Sequence, residues 1–160
     1  DDSRDQEHIK VSTEYGGKSQ LNLGHLVDAE KQKRGEGFEL RTDSWGAIRA
    51  QKGIFISADG QTKAQGQVLE MGAALSQLQQ ALSQAEALSS AVETARAELA
   101  DIQTQKTLLE QTLADLKQSA LLFSAPAGIA HSTPQSVQLS AGENVISTSG
   151  KHTDFSALKR

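Results

Sequence analysis

The stretch MGAALSQLQQALSQAEALSSAVETARAELADIQTQKTLLEQTLADLKQSALL, residues 71–122, decides the architecture. No Gly or Pro occurs from Ala73 to Ala125. Ala, Leu, Gln and Glu dominate, and all of them tolerate a helix interior. Apolar residues step by three and four through Met71, Leu75, Leu78, Leu82 and Ala85. The stripe continues at Leu88, Val92, Ala95, Leu99 and Ile102, then at Leu109, Leu113, Leu116 and Ala120, with Lys106 as its one charged position. This spacing predicts helix over 67–122 with one apolar face. Between Ala85 and Val92 the stripe slips by three residues, which is a stammer in the heptad. Ser90 and Glu93 match a capping box at the same place. Two readings follow. One is a single long helix, three copies of which would form a coiled coil. The other is a helical hairpin that turns near residues 88–91. The fold-back is favoured, because it returns the chain to where it left. Helix packing is expected from Leu75, Leu78, Leu82, Val92, Leu99, Ile102, Leu109, Leu113 and Leu116.

The flanks read differently. Over residues 1–66, Ile9, Val11 and Thr13 alternate with polar neighbours before Gly16–Gly17. Leu21 with Leu23, Phe38 with Leu40, and Ile54 with Ile56 repeat the pattern, each ending at Gly or Asp. Period-two alternation with such breaks predicts short strands and turns. Residues 123–160 resume it at Ile129 with His131, Val137 with Leu139, and Val145 with Ser147. Short strands at even spacing suit a β-solenoid, sandwich or barrel. Only 4% of the residues are aromatic, too few for a sandwich core, so the solenoid is favoured. The fold class expected is mainly β with an α insertion.

Composition also bears on association. Only 37% of the 160 residues are hydrophobic, a thin complement for a lone globule. The expectation is an elongated homotrimer that buries apolar groups against its own copies. Its shared interior is assigned to Ile9, Val11, Leu40, Ile54, Ile56, Val137 and Leu139. A net charge of −4 argues against nucleic acid as a partner. There is no cysteine and no apolar run of transmembrane length, and no signal peptide is expected. The chain begins at Asp1 without Met and ends at Arg160 just after an apolar stretch, and so reads as a piece of something longer.

Candidate chemistry is sparse. His8, His25, His131 and His152 show no metal-ligand spacing. Glu39, Asp43 and Asp59 lie on or beside strands, where a β-helix can host a glycosidase-like pair. Turns also favour Asp at the last two positions, and that reading is stronger. Gly35-Glu-Gly37 leads into no helix, so it is no phosphate loop. No catalytic residue, cofactor, metal or small-molecule substrate is expected.

Gln6-Glu-His-Ile9 and Thr13-Glu-Tyr-Gly-Gly-Lys-Ser-Gln-Leu-Asn-Leu-Gly-His-Leu-Val-Asp28 resemble the VgrG family, the spike proteins of bacterial type VI secretion. So do Gly35-Glu-Gly-Phe-Glu-Leu-Arg-Thr-Asp-Ser-Trp-Gly-Ala-Ile-Arg49, Gly53-Ile-Phe-Ile-Ser57 and Leu122-Phe-Ser-Ala-Pro-Ala-Gly-Ile-Ala130. The resemblance covers essentially the whole chain. It implies a homotrimer wound into a β-prism shaft, with the helical segment interrupting it. It implies a full-length spike that meets secretion tube and tip proteins and carries toxic effectors. It also implies assembly in the bacterial cytoplasm and export by sheath contraction, to the extracellular space or a target cell, without a signal peptide. Two other functions are compatible with the sequence. One is an effector-docking module centred on the helices; the other, far less favoured, is a carbohydrate-active β-helix.

Overall fold

A computed structural model describes residues 2–95 and 102–158. Strand β1 (His8–Ser12) pairs antiparallel with β2 (Gln20–Val27), and β2 pairs antiparallel with β3 (Lys33–Arg41). The turn from β1 to β2 is made by Gly16 and Gly17 at φ +77° and +71°, a region that favours glycine. A Cβ on Gly17 would stand 2.7 Å from the Ser44 backbone nitrogen. The Asp43 N–H donates to the Gly17 carbonyl at 2.8 Å, so the turn is fastened to the chain leaving β3.

The chain divides into two units at Arg49 and Ala50. In the second unit, β4 (Ile54–Ser57) and β5 (Leu121–Ser124) are parallel neighbours, joining Ile54 to Leu121 and Ser57 to Ser124. Everything between them is an insertion in a parallel crossover. Its long helix spans Gly72–Ala95, with the Glu70 Oε1 accepting from the Gly72 N–H at its start. A return helix spans Ile102–Thr107, followed by a wider π turn at Leu108–Leu113 and a 3₁₀ turn at Ala114–Leu116.

The return segment packs against the long helix. Leu78 and Leu82 share a groove with Leu108, Leu109 and Leu113, while Met71 and Ala74 meet Leu116 and Leu122 nearer the strands. The order of these contacts makes the two segments antiparallel. The insertion is thus folded back, but it does not turn at 88–91. The helix runs unbroken through Ser89 and Ser90, and the Ser90 Oγ donates to the Glu86 carbonyl at 3.1 Å instead of capping a new helix. Without Gly or Pro, nothing in that stretch stops the helix. The stammer is absorbed by rotation of the stripe: Leu82 and Ala85 are buried, whereas Leu88 is 65% exposed.

Of the expected packing residues, Leu82, Leu109 and Leu116 are buried, and Leu75, Leu78, Ile102 and Leu113 are half-buried. Leu99 and the Val92 side chain lie outside what is described. Spin labels at Gln77 and Lys106 should report an intrachain distance far below the roughly 43 Å that one straight helix would hold between them. A distance near that value would undo the fold-back.

The strands expected around Ile129, Val137 and Val145 do not form within the chain. From Ala125 to Leu158 the described residues form no helix or strand and make no backbone-to-backbone hydrogen bond. The physical reason is a lack of partners. Alternation sets the faces of a strand, but a strand needs a neighbour, and among the described residues none lies beside it.

Candidate assembly surface

The pairing register places Ile9, Leu23 and Phe38 in one row across the first sheet, and Val11, Leu21 and Leu40 in the next. Directly opposed residues project to the same side, and residues two apart share a face. These six side chains therefore form one apolar face. All six are exposed, with Phe38 at 78% and Leu40 at 69%.

The other face is polar, in rows Lys10–Asn22–Glu39 and Ser12–Gln20–Arg41. It is held by hydrogen bonds. The Arg34 guanidinium donates to both Glu39 carboxylate oxygens, at 2.9 and 3.2 Å. Asn22 Nδ2 donates to Glu39 Oε2 at 3.0 Å and to Gln20 Oε1 at 3.3 Å. Hydrogen bonding from Arg34 holds the Glu39 carboxyl below its ordinary range, against a smaller opposing effect of burial. Arg41 likewise donates to Asp43 and lowers its pKa. Gln20 and Asn22 are each only 8% exposed. In one chain, then, the usual order is inverted: amides are covered while leucines and a phenylalanine lie open.

The second unit repeats the arrangement on a smaller scale. Phe55 and Leu122 pair across β4 and β5 and face the cluster of Met71, Ala74 and Leu116. Ile54, Ile56, Leu121 and Phe123 alternate to the opposite side. Ile56, Leu121 and Phe123 are exposed there, and Ile54 is half-buried. The expected interior residues Ile9, Val11, Leu40, Ile54 and Ile56 thus all stand on open or half-open apolar sheet faces. Val137 and Leu139 are exposed on the unpaired segment. Leu21, Leu23, Phe38, Leu121 and Phe123 complete these faces and were absent from the sequence-based set. Their alternation was visible; the register that aligns them with Ile9, Val11 and Ile54 was not.

The acidic candidates are tied to local partners. Glu39 and Asp43 are engaged by Arg34 and Arg41. The Asp59 Oδ2 accepts from Ser57 Oγ at 2.8 Å and from Ser124 Oγ at 3.1 Å, bridging the ends of β4 and β5. Among the described residues no group of three His, Asp or Glu side chains is placed to hold a metal ion. No described helix is long and apolar enough to cross a membrane.

A mixed sheet-and-helix chain whose main surface features are open apolar sheet faces has the build of an assembly module. Residues 1–92 match the family model described as type VI secretion system Rhs element Vgr, and the chain belongs to that family. Residues 109–160 match a second model, described only as an uncharacterised protein conserved in bacteria. Two relatives are the type VI secretion system spike proteins VgrG2b and VgrG2a of Pseudomonas aeruginosa, each 34% identical over 98% of this chain. The chain spans 17% of the length of the first and 20% of the second. A solved VgrG spike from the type 6 secretion system superposes with TM-score 0.96 at 49% identity, covering the whole of this chain and 61% of that one. A VgrG spike with the Tle1 effector bound gives 0.95 at 49% identity, over 99% of this chain and 49% of that one.

Proposed function

We propose that this chain is a shaft segment of a trimeric cell-puncturing spike of bacterial type VI secretion, structural rather than catalytic. Three copies wind into a β-helical prism. Residues 1–66 and 123–160 form the shaft, and the helical insertion over 67–122 leaves and rejoins it. One observation carries this reading. The backbone from Ala125 to Leu158 makes no internal backbone-to-backbone pairing among the described residues, while its apolar residues alternate. Buried backbone donors and acceptors must be paired, and other copies of the same segment supply both the partners and a closed assembly without free edges. The open apolar faces in both units would be covered by the same step.

In the full-length spike the shaft connects to the secretion tube and tip proteins. The spike assembles in the cytoplasm, leaves by sheath contraction and carries effector proteins. The VgrG structure with Tle1 bound supports the cargo role. A second reading, effector docking on the insertion, is favoured by Leu88 and Leu108, which stand exposed on the helical segments. The two are compatible.

Light scattering on the purified chain tests the proposal. A concentration-independent mass of three chains is expected; a folded single chain across the same range would refute it.

A further inference from the structure

The hairpin does more than interrupt the strands, because the unpaired segment comes back to it. A groove of about 270 Å³ between Leu82 and the Leu109 turn is lined by Ile146 and Thr148 as well. Ala141, Glu143, Asn144 and Ile146 line an adjoining groove with residues of the return helix. A Cβ on Gly150 would lie 3.2 Å from the Gln84 amide nitrogen. From Ile146 onward, the positions that meet the hairpin are 146, 148 and 150. That is period two, the spacing of an extended chain with one side against a support. Val145, the residue before Ile146, is 68% exposed against 40% for Ile146.

We propose that the helical hairpin is an intramolecular clamp that sets the axial register of the C-terminal shaft segment. It seats Ile146 and abuts Gly150, leaving Val145 turned toward strands from the other two copies. A slip of one residue would exchange Ile146 and Val145 between the two sides. The hairpin therefore selects one register from those that the alternating sequence allows. This rests on the trimer reading and adds a role to it: each chain carries its own gauge for strand alignment.

The chain has no cysteine, so Gln84→Cys with Gly150→Cys introduces the only two thiols. In the trimer, a short bismaleimide should join them within one chain, and denatured protein should run at single-chain mass. Products of two or three chains, or no crosslink, overturn the clamp. A second variant tests its role in register. Ile146→Ser should refold to trimer about tenfold more slowly than wild type, because a contact needed before strand exchange is weakened. Refolding at the wild-type rate overturns the proposal. Failure of the trimer reading itself registers separately, as a single-chain mass for the wild-type protein.

Discussion

Ile56→Asp is expected to abolish trimer formation while leaving the single chain folded. Ile56 is 45% exposed on β4, on the side away from the hairpin, so a carboxylate there costs one chain little. In a shared interior the same change places three aspartates in an apolar environment. Each must be buried charged or be protonated, and either is unfavourable by several kcal/mol. Because the site recurs in every chain, association should weaken by at least about a thousandfold. Sedimentation would show a single-chain species, with circular dichroism retaining the helical signal of the hairpin. A soluble trimer with unchanged melting would mean that β4 faces solvent in the assembly.

Leu116→Ala should act in the opposite way, on the chain before it acts on the assembly. Leu116 is 8% exposed and packs with Met71, Ala74 and Leu122, where the hairpin meets the strands. Truncating a buried leucine costs about 2–5 kcal/mol, depending on how far the cavity closes. The loss should be local. Amides of the long helix and of β5 are expected to exchange faster, while β1–β3, which belong to the other unit, keep their protection. Hydrogen exchange read by mass spectrometry separates these cases. Uniform loss of protection across both units would show that the two unfold together.

Strand positions β1 to β4 were legible because alternation and glycine breaks are local properties. So was the helical character of the insertion, through its residue types and its three-and-four spacing. Three things were not legible, for a shared reason. The register that aligns Leu23 with Ile9 and Phe38 depends on pairing, which no single strand encodes. The continuation of the helix past Ser90 depends on a competition: its hydroxyl bonds to the Glu86 carbonyl four residues back and does not cap a new start. The start of β5 at Leu121 depends on β4 lying alongside, since Leu121 and Leu122 fit the end of a helical stripe equally well. The alternation at Val137 and Leu139 states which side of a strand is apolar, and is silent on which chain the strand joins.

The parallel pairing of β4 with β5 has a kinetic consequence. Ile54 meets Leu121 only after the whole insertion has been bridged, so the pair is a contact of high sequence separation. Such contacts form slowly when the intervening chain is loose, because closing a long loop costs entropy before any pairing compensates. A helix folded back on itself removes most of that slack. Its neighbouring-turn contacts form on the timescale of helix propagation, and its two ends then arrive at the strands nearly together. The expected order of folding therefore runs from the inside of the insertion outward. The helices are expected to condense first, β4 and β5 to zip second, and the segment beyond Ser124 to find its place last.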